Sequence, residues 1–135
     1  MPIQVVLDTN FLLVPTQFPI DVFAETEEVL EKRPRFVILD SVVAEINARL
    51  NAPRSLMENK QFTVAKALLE RCEIVEVEEN LRSLPVDLQI LEYATLQEAV
   101  IATNDRILRK KARSRGIPVL LVRGKKRLTL EGSII

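Results

Sequence analysis

The chain has 135 residues, 47% hydrophobic and 28% charged, with equal numbers of basic and acidic side chains and no histidine. That length and apolar content fit one globular domain with a buried core and exclude a disordered chain. The missing histidine excludes Ser-His and Cys-His nucleophilic pairs, histidine acid-base pairs and HExxH zinc sites. The lone Cys72 excludes an intrachain disulfide and fits a small buried hydrophobe.

In chain order, IQVVL (3–7) is apolar and β-branched and predicts a first strand, with Asp8, Thr9 and Asn10 directly behind it in VVLDTNFLL. Val22, Phe23, Val29 and Leu30 form a stripe that predicts a helix over 21–32. RFVIL (35–39) predicts the second strand, and Val42, Val43, Ile46 and Leu50 predict a helix over 41–50. Ser55 and Glu58 have capping-box spacing at the head of a helix over 55–72. EIVEV (73–77), a helix over 85–96 and AVIAT (99–103) follow. A helix over 105–115 then stops at Gly116, with Pro118 opening the last strand, PVLLV (118–122).

Alternation of strand and helix over the whole length predicts a three-layer α/β domain, residues 1–135, with a mainly parallel sheet. Residues 124–135 fit either a short edge strand or a mobile tail, and the sequence leaves both open. No apolar run approaches the roughly 20 residues of a bilayer span and no signal segment precedes the first strand, so a cytoplasmic protein without membrane contact is expected. Gly116, Gly124 and Gly132, the only glycines, are too few and too late for a phosphate-cradling loop or a dinucleotide fingerprint.

Charge is balanced overall but not along the chain. Residues 104–127 carry ten basic side chains against Asp105 alone, whereas the preceding part carries nine basic and seventeen acidic. Such a cluster fits a solvated helix face or a surface for a polyanion. Arg106, Arg109, Lys110, Arg113, Lys125 and Lys126 are the candidate phosphate contacts. Phe36, Phe62 and Tyr93 fit core positions, so little base stacking is expected.

Asp8 and Asp105 follow the first and fourth strands, at the carboxyl edge where open α/β sheets bind ligands. Glu45 lies beside the stripe of the helix after the second strand, and Asp87 lies at the start of the helix that feeds the fourth. Singly, each acid has a structural explanation: Asp8 and Asp105 as helix caps, Asp87 as a favourable charge on a helix dipole, Glu45 as a part-exposed helix residue. Together, four carboxylates near one sheet edge repel and tend toward protonation unless a cation holds them. All-oxygen ligation selects Mg²⁺ or Mn²⁺ over zinc or copper, and beside a basic surface it suggests metal-assisted phosphodiester cleavage.

In VVLDTNFLL, DSVVAEI, VDLQILEYA and VIATNDRILRKKARSRGIPVLLV, from Ile3 to about Val122, the chain resembles the PIN-domain ribonuclease family in order, type and spacing. The resemblance implies an α/β/α sandwich with a five-stranded sheet in the order 3-2-1-4-5. It also implies an acidic centre for one or two Mg²⁺ or Mn²⁺ ions and endonucleolytic cleavage of single-stranded RNA. It carries the catalytic and metal-binding roles to Asp8, Glu45, Asp87 and Asp105, with Asn10 and Thr103 as polar supports. Some relatives have a second Asp where this chain has Leu88, which puts a full second metal site in doubt. RNA processing, with a ribosome-assembly partner, and toxin-antitoxin control, with an antitoxin, are both implied, as is a homodimer; the tail looks more like the ribosome-biogenesis branch.

Two other acid-bearing α/β folds fit less well. A phosphotransfer receiver needs an acidic pair after the first strand and a phosphoacceptor Asp after the third, and EIVEVEENLRSLPVD supplies no such acceptor. A haloacid-dehalogenase-type phosphatase needs D-x-D, and Asn10 stands at its second place. A PIN fold reduced to an RNA-binding or assembly module is the remaining alternative.

Overall fold

The computed structural model describes residues 2–134. Among these residues six strands form one sheet: β1 (Gln4–Leu7), β2 (Arg35–Leu39), β3 (Glu73–Val75), β4 (Val100–Ala102), β5 (Val119–Arg123) and β6 (Arg127–Glu131). Their order is β3-β2-β1-β4-β5-β6, parallel throughout except for the antiparallel β5–β6 pair. The helices are α1 (Thr9–Leu12), α2 (Val14–Gln17), α3 (Val22–Leu30), α4 (Asp40–Asn51), α5 (Leu56–Leu68), α6 (Val86–Gln97) and α7 (Arg106–Ser114).

The central strands are apolar on both faces because helices cover both. Val5, Val6 and Leu7 of β1 and Val100, Ile101 and Ala102 of β4 are buried, the continuous pattern that a parallel strand between two helical layers requires. α6 and α7 pack on each other and on β1, β4 and β5, while α4 packs on β2 with α5 against it. α7 is strongly amphipathic: of RILRKKARS only Leu108 and Ala112 are buried. Ser55 caps α5 as its spacing predicts, its hydroxyl accepting from Glu58 N at 3.0 Å, but Glu58 answers to Arg54 N and Arg49 instead of closing the box on Ser55.

The sheet has six strands, one more than expected, because the tail folds back. Gly124 at φ 66° and Lys125 at φ 62° supply consecutive left-handed residues, so a tight turn brings Arg127 opposite Arg123. Leu128 is then buried and Leu130 half-buried along the edge. The strand alternative for the tail therefore holds for residues 127–131. Among the described residues no helix is long and apolar enough to cross a membrane.

Candidate active site

The carboxyl ends of β1 and β4 lie side by side, with Leu7 opposite Ala102, so the two turns that leave them are neighbours. Asp8 N donates to Ala102 O at 3.0 Å, extending the ladder one residue past the strand. The turns carry tripeptides of the same three residue types in different order, Asp8-Thr9-Asn10 and Thr103-Asn104-Asp105, and these interlock. Thr103 Oγ1 donates to Asp8 Oδ2 at 2.7 Å, and Asn10 Nδ2 donates to the same oxygen at 3.1 Å. Asn104 N donates to Asn10 Oδ1 at 3.1 Å, and Asp105 N donates to Thr103 Oγ1 at 3.0 Å. Thr9 N fixes the second Asp8 oxygen, Oδ1, at 2.8 Å.

Both aspartates do cap helices. Asp8 caps α1, and Asp105 Oδ1 accepts from Ile107 N and Leu108 N at the head of α7. Capping fixes each backbone and one carboxylate oxygen; at Asp105 it leaves Oδ2 without a protein donor among the described residues. Thr9 Oγ1 donates to Glu45 Oε1 at 3.0 Å and thereby ties the exposed end of Glu45 on α4 to the β1 turn. Asp87, in the first turn of α6, sits 3.5 Å from Lys111 Nζ of α7.

These four acids meet in one cleft of about 410 Å³, with Thr9 and Asn10 between them and Leu13 and Val86 completing the wall. Burial pushes the Asp8 carboxyl above its ordinary range; the Thr103 hydroxyl and the Thr9 amide pull it back, and the charges of Glu45 and Asp105 add to the rise. Only Asp87 of the four has a cationic partner among the described residues. A cleft of hard oxygen donors with an excess of negative charge fits a divalent cation such as Mg²⁺ or Mn²⁺ and does not fit a soft metal. Among the described residues no three acids converge into a preformed metal cage.

The basic candidates divide into two groups. Arg106, Lys110, Lys125 and Lys126 are exposed and pair with no acid among the described residues. Arg109 and Arg113, also expected as phosphate contacts, hold Glu131 of β6, Arg109 through Nε at 3.0 Å and Nη2 at 2.6 Å and Arg113 through Nη2 at 2.8 Å. The cause is the edge strand: once β6 pairs with β5, its last acid lies beside α7.

Residues 5–125 match the family described as PIN like domain. The chain belongs to this family. The PIN-like chain is similar to Ribonuclease VapC4 of Methanocaldococcus jannaschii, with 34% identity over 134 residues that cover 97% of this chain and 98% of that relative. It is similar also to Ribonuclease VapC9 of Archaeoglobus fulgidus, with 32% identity over 126 residues, 93% of this chain and 87% of the relative. Among solved structures, the PIN domain endonuclease Utp24 superposes with a TM-score of 0.79 at 26% identity, covering 98% of this chain and 94% of that one. VapBC2 from Rickettsia felis, solved bound to a DNA fragment from its promoter, shares the fold with a TM-score of 0.61 at 19% identity, over 90% of this chain and 100% of that one.

Three contributors to the PIN-like site had no role in the sequence reading: Thr9, which holds Glu45, Asn104, which joins the two turns, and Lys111, which faces Asp87. The shared composition of D-T-N and T-N-D, one behind each central strand, is the signal that points to the first two. Lys111 gave none, since its partner lies on another helix.

Proposed function

We propose that this PIN-like protein is a divalent-metal-dependent endoribonuclease that cuts single-stranded RNA. The observation that carries the reading is the meeting of Asp8, Glu45, Asp87 and Asp105, from four separate segments, in one cleft at the carboxyl edge of the sheet. The ribonuclease names of the VapC relatives and the endonuclease name of Utp24 support it.

Asp8, Glu45, Asp87 and Asp105 would hold Mg²⁺ or Mn²⁺. Such an ion supplies Lewis acidity toward the phosphate and acidifies water in its shell. Asp8 keeps its orientation through the Thr103 hydroxyl, the Asn10 amide and the Thr9 N–H, so its carboxylate would be preoriented for such an ion. Thr9 restrains Glu45 at the β1 turn. Arg106, Lys110, Lys125 and Lys126 would contact phosphates along the strand, binding that is independent of sequence and weakened by salt. The VapC relatives together with the VapBC2 structure favour an antitoxin partner and a place in toxin-antitoxin control; RNA processing with a ribosome-assembly partner is the other role the family resemblance implies, and the same resemblance implies a homodimer.

The test is cleavage of a mixed single-stranded RNA pool with Mn²⁺ or Mg²⁺ by the wild type, Asp8→Asn and Asp105→Asn. Cutting by the wild type alone supports the reading; persistence in both variants, or binding without cutting under any metal, sinks it and leaves an RNA-binding module. Millimolar Mn²⁺ should also raise the melting temperature of the wild type and not of Asp8→Asn, since an ion that binds only the folded form stabilises it by mass action.

A further inference from the structure

Beside the acidic cleft lies a second cavity of about 410 Å³ with the opposite character. Gln17, Phe18, Asn104, Arg109 and Lys125 line it over a wall of β5, and no acid does. The two share a boundary: Asn10 lines the cleft, Asn104 lines the cavity, and the 3.1 Å hydrogen bond between them is the ridge.

The lining groups hold donors that the fold does not use. Asn104 spends its side-chain oxygen on Val122 N at 3.0 Å, and its Nδ2 has no partner among the described residues. Arg109 commits Nε and Nη2 to Glu131, which fixes the plane of the guanidinium and leaves Nη1 uncommitted. The Gln17 amide and the Lys125 ammonium also have no protein partner among the described residues, and Lys125 is held at its place by the left-handed turn that starts β6. Phe18, half-buried at the end of α2, is the aromatic member. The volume lies in the range of small-ligand sites, about 300–1,000 Å³.

We infer that this cavity is a nucleotide subsite that seats one residue of the RNA strand next to the scissile phosphate. Phe18 stacks on the base, the Gln17 and Asn104 amides meet its edge, and Lys125 and the free Nη1 of Arg109 take its phosphate. The inference rests on the RNA-cleaving reading and gives it a means of register: a strand whose nucleotide is anchored over Phe18 presents one particular phosphate across the Asn10–Asn104 ridge. Stacking against a single aromatic ring is sequence-tolerant and strong enough to matter, so the base contributes although base-edge contacts are few.

The test is an abasic scan read by equilibrium binding without metal, where no cutting interferes. Single-stranded RNAs of about ten nucleotides, each lacking one base, are titrated into wild type, Phe18→Leu and Lys125→Gln. In the wild type one position should lose affinity about tenfold, the range expected for a base stacked on an aromatic ring. In Phe18→Leu, which keeps apolar bulk against the core, intact RNA should bind about tenfold more weakly and the abasic penalty should vanish. Lys125→Gln should weaken all RNAs alike and flatten the salt dependence by about one charge. A flat scan, a penalty unchanged in Phe18→Leu, or a free mononucleotide that competes as well as the strand would overturn the subsite. Failure of the nuclease reading is seen separately, as absence of cutting when Mn²⁺ is added to the same RNAs.

Discussion

Thr103 is the sharpest point at which to test how the site is held. Its side chain is fully buried, and its hydroxyl donates to Asp8 at 2.7 Å while accepting from Asp105 N at 3.0 Å. Thr103→Val keeps the shape and removes the oxygen. A hydrogen bond to a charged group contributes about 1.5–3 kcal/mol and a bared amide costs about 1 kcal/mol more, so with some water screening the largely buried carboxylate the net loss should be about 2–3 kcal/mol at pH 7. In urea that moves the midpoint down by roughly 1–2 M.

The loss should also depend on pH. Burial raises the Asp8 pKa in the folded chain above the ordinary 3.8, so the folded form holds that proton more tightly than the unfolded form does. The stability linked to it is fully present below the ordinary value and is lost as pH rises through the folded value. Thr103 favours the ionised carboxylate and limits this loss, so Thr103→Val should be more damaging at pH 7 than at pH 4. Thr103→Ser, which retains the hydroxyl, should cost only about 1 kcal/mol for the missing methyl. A midpoint shift for Thr103→Val below about 0.3 M, or one equal at both pH values, would refute the reasoning.

Three other outcomes are expected. Arg109 and Arg113 hold the Glu131 carboxyl down at about 2, so the stability it contributes is present above the ordinary 4.5 and lost as pH falls toward 2; urea midpoints of Glu131→Gln should converge with those of the wild type in that window. Burial pushes the Cys72 thiol up to about 12, so a thiol reagent at pH 8 should modify the native chain far more slowly than the chain in denaturant. Glu98 ends α6 in the left-handed region at φ 53°, and Glu98→Gly should raise stability by about 0.5–1 kcal/mol in thermal or urea melts.

The order of the elements was legible because each central strand is a continuous apolar run followed by an amphipathic helix, and those two periods are hard to confuse. The turn that makes β6 was not, since Lys125 adopts a left-handed conformation that a lysine rarely takes and does not signal. At the site, Asp8 and Asp105 could be placed on one sheet edge from strand ends, and Glu45 and Asp87 from their places on the helices after β2 and before β4. What tied them there could not: Thr9 reaches a residue 36 positions away and Thr103 one 95 away, and such contacts exist only after the sheet has assembled. The pairing of the basic stretch was hidden for the same reason, because a count of charges along the chain does not include the acid that later arrives from the edge strand.

The bond from Asp8 N to Ala102 O makes the first rung of the site also the last rung of the β1–β4 ladder, at the centre of the sheet. Opening the site therefore means parting the two strands that are most deeply buried, which is a global event rather than a local one. Amide exchange at Asp8 should report the full unfolding free energy of the domain. On heating, any activity of the cleft should persist until the whole molecule melts, with no earlier phase of inactivation.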